Sequence, residues 1–85
     1  MKSVLVTGVS KGIGQSVARK LVSDGYFVHG TYNTSKIEAE SLMSELKNLE
    51  IYQVDFSDRK QTLKFLDSIK DLKFDGLVNN AGIII

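Results

Sequence analysis

The sequence predicts an α/β fold in which a parallel four-stranded sheet lies between two layers of helices, in the order β-α-β-α-β-α-β. Short β-branched apolar segments alternate with longer segments whose apolar residues recur at helical spacing. The connections between successive strands are long enough for crossover helices, which parallel pairing requires. Because such crossovers are right-handed, we expect helices on both faces of the sheet.

The first strand is predicted at Ser3–Thr7, a nearly continuous apolar and β-branched run that ends at Gly8. Runs of this kind are typical of strands buried on both faces. A helix follows the glycine cluster, because apolar residues recur there at helical spacing: Ile13, Val17, Ala18, Leu21 and Val22. Gly25 lies just past this helix, where a C-terminal cap is expected.

The second strand and second helix are predicted from a change of pattern after Gly25. Tyr26–Tyr32 is rich in aromatic and β-branched residues and predicts a strand. Ser35 and Glu38 have the spacing of a capping box, so we expect a helix to begin there. Its predicted apolar stripe comprises Ile37, Leu42, Met43 and Leu46.

The remaining elements follow the same alternation. A third strand is predicted at Leu49–Val54, and a third helix begins at Asp58. The apolar face expected for this helix comprises Leu63, Leu66, Ile69 and Leu72. The fourth strand is predicted at Phe74–Val78 and breaks at the Asn-Asn-Ala-Gly run that follows.

Composition excludes several classes of function. Eleven basic and ten acidic residues leave a net charge of +1, whereas nucleic-acid and membrane-surface binders concentrate Lys and Arg. The chain has no cysteine, which excludes a disulfide scaffold and thiol catalysis. The single histidine, His29, does not make a His-rich metal site and is interpreted as structural. No apolar run approaches the length of a membrane span, so we expect a cytoplasmic protein that binds neither membrane nor metal.

The loop between the first strand and the first helix, TGVSKGIG at residues 7–14, carries the main functional signal. Gly8 allows a tight turn and a close approach of a phosphate, and the helix N-terminus that follows favours an anion. The same loop has a plainer interpretation as a strand-to-helix turn. Lys11 is equally well read as a solvated cation. Ser10, in an exposed loop without a nearby histidine, is not interpreted as a nucleophile.

Three motifs in order make the sequence resemble the short-chain dehydrogenase/reductase family. They are TGVSKGIG, an Asp after the third strand (Asp55) and Asn-Asn-Ala-Gly at residues 79–82. Within the family the sequence is most similar to the 3-oxoacyl-(acyl-carrier-protein) reductases. The resemblance implies a Rossmann-type sheet of strand order 3-2-1-4, with residues 1–85 forming the N-terminal part of one NADP-binding domain and no second domain.

The resemblance also implies the roles of individual residues. The residues expected to hold the pyrophosphate and adjoining ribose are Gly8, Ser10, Lys11, Gly12, Ile13 and Gly14. Asp55 would accept a hydrogen bond from the adenine amino group beside the Phe56 backbone, although Asp55 also fits an ordinary acid at the approach to a helix. The residues expected to line the ribose side and stabilise the central sheet are Asn80, Ala81 and Gly82.

The end of the second strand predicts the type of cofactor. An NAD site has an Asp or Glu there, which binds the ribose 2′-hydroxyl and repels a 2′-phosphate. The residues at this position are Tyr32, Asn33, Thr34 and Ser35, none of them acidic. Together with Lys11 they offer donors to a 2′-phosphate, so NADP(H) is predicted over NAD(H).

The family's catalytic Tyr-x-x-x-Lys motif has no convincing counterpart. Tyr32 and Lys36 fit the bare spacing, but their place beside the adenosine half makes this a coincidence. We therefore expect no catalytic residue, an inactive chain, and an N-terminal fragment of a longer NADP(H)-dependent oxidoreductase. The alternative is a complete, non-enzymatic nucleotide-binding or dimerising module. An exposed fourth-strand edge and the apolar end of the chain predict self-association, the latter through Ile83, Ile84 and Ile85.

Overall fold

Across residues 1–80, four strands and three helices alternate in the predicted order. The computed structural model describes residues 1–80, so Ala81, Gly82 and the isoleucines at 83–85 lie outside the described residues. The elements are β1 Ser3–Thr7, α1 Gly12–Ser23, β2 Phe27–Tyr32, α2 Lys36–Glu45, β3 Leu49–Gln53, α3 Arg59–Ile69 and β4 Gly76–Asn79. Within residues 1–80, no helix is both long enough and apolar enough to cross a membrane.

The strands form one parallel sheet in the order β3-β2-β1-β4, which confirms the predicted 3-2-1-4 arrangement. Val6 of β1 pairs with Gly30 of β2, and Gly30 pairs in turn with Ile51 of β3. On the other side of β1, Thr7 pairs with Asn79 of β4. The ends of β1 and β4 therefore lie side by side, and the residues that follow both strands meet at one edge of the sheet.

The two faces of the sheet have different cores. The buried residues on the α1 and α2 face are aliphatic: Val4, Val6, Val9, Ala18, Val28, Leu42 and Leu49. The α3 face is mainly aromatic and is built from Val54, Phe56, Phe65 and Ile69, with Leu5, Tyr52 and Phe74 packed against them. Successive strand residues point to opposite faces, which explains why Leu5 belongs to the second cluster and its neighbours to the first.

Helix α1 ends as the sequence predicts. Gly25 has φ +94°, a left-handed conformation that favours glycine. Its N–H donates to the carbonyl of Val22 at 3.1 Å, and the N–H of Tyr26 donates to the carbonyl of Leu21 at 3.0 Å. This pair of bonds is a Schellman motif, which satisfies carbonyls at the end of the helix.

The capping box and the apolar stripe predicted for α2 are wrong in part. Ser35 precedes the helix, but its side chain makes no capping hydrogen bond, and its ψ of 60° departs from the extended backbone that a capping serine adopts. Ile37 is 80% exposed and Met43 is 38% exposed. Leu42 is buried as predicted, and the helix also buries Ala39.

The buried face of α3 also differs from the predicted one. Ile69 is buried as predicted, whereas Leu63, Leu66 and Leu72 are exposed. The helix turns Phe65 toward the sheet in their place. The Phe65 ring packs edge-on against rings contributed by the third strand and by the loop after it, with centroid distances of 5.4 and 6.0 Å. Since an aromatic side chain buries more area than leucine, Phe65 determines which face is buried.

Candidate cofactor-binding site

Two left-handed glycines shape the loop between β1 and α1. Gly8 has φ 73° and Gly12 has φ 65°, so each occupies a conformation in which other residues are strained. The side-chain amide of Gln15 donates to the carbonyl of Ser10 at 2.9 Å and closes the loop from the helix side. Ser10 is only 8% exposed, so the expectation of an exposed serine is wrong.

Strand β2 holds the start of this loop. The N–H of Val9 donates to the carbonyl of Thr31 at 2.9 Å. The N–H of Gly8 donates to the hydroxyl of the same Thr31 at 3.2 Å. Sequence reasoning missed Thr31, because a β-branched residue within a strand looks like ordinary sheet composition.

The third glycine of the motif lies against the loop's own backbone. A Cβ atom on Gly14 would lie 1.8 Å from the carbonyl oxygen of Gly8 and 2.6 Å from the Nδ2 atom of Asn80. Real Cβ atoms do not approach other atoms this closely, so α1 packs against Gly8 only because residue 14 lacks a side chain.

Asn80 connects the end of β4 to the glycine loop. Its side-chain Nδ2 donates to the carbonyl of Gly8 at 3.1 Å, and its backbone N–H donates to the hydroxyl of Thr7 at 2.9 Å. The Thr7 hydroxyl donates in turn to Oδ1 of Asn79 at 3.1 Å. The first and third of the three sequence motifs are therefore joined by direct hydrogen bonds.

Within residues 1–80, the N-terminus of α1 is open, because no side chain caps it. Lys11 occupies the N-cap position with extended backbone, its side chain makes no capping hydrogen bond, and the first turn carries no acidic residue. Lys11 and Gly12 are exposed. Ile13 is 74% exposed, so the expectation that it packs in the helix's apolar stripe is wrong. Free N–H groups, the positive end of the helix dipole and a lysine favour a bound anion.

The end of β2 places its predicted site residues in different surroundings. Tyr32 is 9% exposed and belongs to the core, while its carbonyl accepts a hydrogen bond from the N–H of Val54 at 2.8 Å. Asn33 and Thr34 are exposed. The side-chain amide of Gln53 donates to the carbonyl of Asn33 at 3.1 Å and links the ends of two neighbouring strands.

Asp55 follows β3 and is oriented by Ser57. Its Oδ1 atom accepts hydrogen bonds from the Ser57 hydroxyl at 2.6 Å and from the Ser57 N–H at 3.0 Å. The bond from the hydroxyl has the larger effect, and together the two bonds hold the pKa of Asp55 below its ordinary value. The cap of α3 is instead Asp58, whose side chain accepts from the N–H groups of Lys60 and Gln61. Asp55 is therefore a carboxylate at the sheet edge, separate from the helix cap.

The structure thus joins Gly8, Gly14 and Asn80 directly and places Asp55 and Asn33 at the ends of neighbouring strands. Phe56, whose backbone was expected beside the adenine, has its side chain buried in the aromatic core. Across the part of the chain that the structure describes, no group of three or more metal-ligating side chains occurs.

The strand order, the glycine loop and the strand-end residues together define a Rossmann-type domain. A family model described as short chain dehydrogenase matches residues 2–85. The chain belongs to the short-chain dehydrogenase family.

Curated relatives agree with this assignment. A 3-oxoacyl-[acyl-carrier-protein] reductase FabG of Staphylococcus aureus is 38% identical over 96% of this chain and 36% of its own length. A 2-dehydro-3-deoxy-D-gluconate 5-dehydrogenase of Pseudoalteromonas atlantica is 39% identical over 99% of this chain and 35% of its own length. The chain therefore spans about a third of the length of these relatives.

Solved structures with the same fold include two complexes with NADPH. The chain superposes on BdcA in complex with NADPH with a TM-score of 0.83 and 38% identity, covering 96% of this chain and 32% of that one. A blue fluorescent protein from a metagenomic library, also in complex with NADPH, gives a TM-score of 0.85 and 37% identity. That superposition covers 99% of this chain and 37% of the other.

Proposed function

We propose that this chain provides the NADP(H)-binding part of an oxidoreductase that transfers hydride between nicotinamide and a carbonyl or hydroxyl carbon. The observation that carries the proposal is the glycine loop, which Asn80 ties to β4 beside the open N-terminus of α1. An anion of the size of a pyrophosphate suits backbone N–H groups arranged in this way. NADPH, when bound, supplies the hydride, and the residues of this chain bind and orient it.

The residues present suit the pyrophosphate and ribose of a dinucleotide. Gly14 has no side chain, so the start of α1 packs directly against the Gly8 carbonyl and holds the loop backbone beside the helix N-terminus. The residues proposed for this contact are Gly8, Ser10, Lys11, Gly12, Ile13 and Gly14. On the sheet edge beside them, the proposed residues are Asn80, Ala81 and Gly82, the last two outside the described part of the chain.

The choice of NADP(H) over NAD(H) rests on the end of β2. No acidic residue occurs at positions 32–35, and the side chains of Asn33 and Thr34 are exposed there. Lys11 is exposed and forms no ion pair with residues 1–80. Both NADPH complexes described above superpose on nearly the whole chain. At the far end of the site we propose that Asp55 accepts a hydrogen bond from the adenine amino group, with the Phe56 backbone beside it.

The substrate is proposed only as a class. The Staphylococcus aureus relative is named for reduction of a 3-oxoacyl thioester, and the Pseudoalteromonas atlantica relative for oxidation of a sugar acid. Both reactions interconvert a carbonyl and a hydroxyl carbon, and 3-oxoacyl thioester reduction is the narrower proposal. We propose no catalytic role for residues 1–80, since Tyr32 of the fortuitous Tyr-x-x-x-Lys spacing lies in the core.

Calorimetric titration with NADPH and with NADH tests the proposal. We expect NADPH to have the lower dissociation constant. The variant Lys11→Ala should weaken NADPH binding roughly tenfold, because one charge-assisted contact to phosphate is lost. Lys47→Ala, an exposed lysine after α2, serves as the control and should bind NADPH like the wild type. If neither NADPH nor NADH binds, the proposal is contradicted. If NADH binds more tightly than NADPH, the cofactor assignment is contradicted.

A dimerising role remains the second candidate, favoured by β4. This strand is an outer strand of the described sheet, and its Leu77 is 60% exposed. We expect light scattering to show association that rises with concentration and is reduced by Leu77→Lys. Met43→Lys, on the opposite face of the sheet, should leave it unchanged. A monomer at all concentrations would contradict this candidate. The predicted contribution of Ile83–Ile85 falls outside the described residues, and a cytoplasmic location stays a prediction.

A further inference from the structure

A glycine occupies the middle of β2 without a backbone reason for being there. Gly30 pairs with Val6 on one side and Ile51 on the other, so it lies within the sheet. Glycine in such a position weakens a strand, because it costs more conformational entropy and packs no side chain. Positive φ angles are confined, among residues 1–80, to Gly8, Gly12 and Gly25. The backbone at Gly30 therefore suits any residue, and the requirement for glycine must be one of space.

That space is filled by a side chain of the glycine loop. A Cβ atom on Gly30 would lie 2.6 and 2.7 Å from the two methyl carbons of Val9, and 3.2 Å from its Cβ. Val9 is fully buried and belongs to the aliphatic core, so its short, β-branched side chain has no open space to enter. Adding one methyl group at position 30 must push Val9, and the loop with it, away from β2.

Thr31, the residue after Gly30 in β2, holds the backbone of the same loop. The N–H of Val9 donates to the carbonyl of Thr31, and the hydroxyl of Thr31 accepts from the N–H of Gly8. The space left by Gly30 accommodates the Val9 side chain, and the two hydrogen bonds to Thr31 hold the backbone of Gly8 and Val9. Together these contacts set the height of the loop above the sheet. A displacement of Val9 would pass directly to Gly8, whose carbonyl contacts Gly14 and Asn80.

We propose that Gly30 is a positioning residue for dinucleotide binding, acting through Val9. It sets the height of the glycine loop above the sheet without itself contacting the ligand. The inference rests on the proposed NADP(H) function for its affinity readout. The geometric part of the inference is that the size of residue 30 determines the position of residue 9. This part can be measured without a bound nucleotide.

The test compares Gly30→Ala with a matched control in the same sheet. In Gly30→Ala we expect the NADPH dissociation constant to rise roughly tenfold, since overpacking a core site displaces its neighbours. Gly76→Ala places the same methyl group in β4, where its nearest neighbours are 3.9 and 4.0 Å away on Val4. That control should bind NADPH like the wild type. Equal affinities for Gly30→Ala and Gly76→Ala would overturn the proposal.

Reducing the size of residue 9 provides the rescue. Val9→Ala removes the two methyl groups that a Cβ at position 30 would meet. We expect Val9→Ala/Gly30→Ala to recover most of the affinity lost in Gly30→Ala, a non-additivity that general destabilisation does not produce. If Gly30→Ala fails to fold, a folded and binding double variant still supports the proposal. A double variant no better than Gly30→Ala would refute it.

Hydrogen exchange at the Val9 amide separates this inference from the proposed function. That amide bonds to Thr31, so Gly30→Ala should increase its exchange rate, while Gly76→Ala should not. If the wild type binds no NADPH and the Val9 amide responds in this way, the proposed function fails together with the role of Gly30 in binding, and only the geometric inference, that the size of residue 30 places residue 9, stands. If the wild type binds NADPH and the Val9 amide is unaffected, the positioning role fails alone.

Discussion

Two strand–loop–helix junctions, β1–α1 and β3–α3, lie at the same edge of the sheet and differ in whether a side chain caps the helix. At the start of α3, Asp58 accepts hydrogen bonds from two backbone N–H groups at 2.9 and 3.2 Å. At the start of α1, Lys11 has the extended backbone of an N-cap residue but provides no side-chain acceptor. A side chain caps the helix at one junction, whereas no side chain of residues 1–80 caps it at the other, which is where we propose that the cofactor phosphates bind.

The junctions also differ in how they pack. The β1–α1 loop is drawn tight by glycine, with Gly14 against the carbonyl of Gly8. The α3 side packs aromatic rings, and His29 lies among them with its Nδ1 atom 2.8 Å from the Tyr52 hydroxyl. Side chains added at the first junction should therefore disturb binding, whereas changes at Asp58 or among the aromatic rings should disturb stability alone. Asp55, in the same loop as Asp58, belongs to the proposed cofactor site instead.

The largest expected effect is that of Gly14→Ala, which places a methyl group where the Gly8 carbonyl now lies. We expect a loss of about 2–3 kcal/mol of stability from overpacking. NADPH binding should weaken by at least about a hundredfold, since the loop itself is displaced. Urea unfolding and calorimetric titration measure the two effects. Gly25→Ala, strained at φ +94° but with no atom within 4 Å of the new Cβ, should lower stability and leave NADPH affinity unchanged.

The second prediction concerns a variant that adds a side-chain cap to the N-terminus of α1. Lys11→Asp supplies a capping acceptor at a residue with φ −161° and ψ 172°, a suitable extended backbone. Stability should rise by about 0.5–1 kcal/mol. NADPH binding should weaken more than about tenfold, because the carboxylate occupies N–H groups and repels phosphate. Lys11→Ser, which caps without the charge, should fall between. Undiminished affinity in Lys11→Asp would show that α1's N-terminus is not the phosphate site.

The third prediction concerns a variant that removes the side-chain cap from the N-terminus of α3. Asp58→Ala removes the acceptor for two N–H groups of α3 and should cost about 1 kcal/mol of stability. Asp58→Asn keeps an oxygen acceptor and should lose much less. Denaturant unfolding distinguishes the two variants, and both should bind NADPH with wild-type affinity. A comparable loss of affinity in Asp58→Ala would remove the functional distinction between the junctions.

The smallest expected effect is the pH dependence of the aromatic side. Burial lowers the pKa of His29 below its ordinary value near 6.5, partly offset by the negative charge of Glu50. The unfolded chain therefore binds a proton at a higher pH than the folded one. The stability contributed by neutral His29 is complete above pH 6.5 and is lost as the pH falls below it. Thermal unfolding at pH 7.5 and 5.5 should show this loss, and His29→Phe should reduce it. An unchanged difference in His29→Phe would contradict the assignment.

Local patterns predicted those features whose causes are local. The strands follow from apolar runs and the end of α1 follows from Gly25, whereas the strand order was implied by the family resemblance. The buried face of α3 was mispredicted in part, because Ile69 is buried as expected but lies at helical spacing from two apolar sets, one with Leu63 and Leu66 and the other with Phe65. Periodicity does not choose between two such faces, and packing against the sheet's aromatic residues does.

The sequence by itself determined the alternation of elements, the positions that need glycine for a turn, and the absence of an acid after β2. Only the tertiary structure decided which of these residues meet. Asn80 bonds to the carbonyl of Gly8 across 72 positions of sequence, and Gly30 receives the side chain of Val9 from a different element. Contacts of this kind depend on strand register and on close packing over the sheet, and neither leaves a periodic trace in the chain.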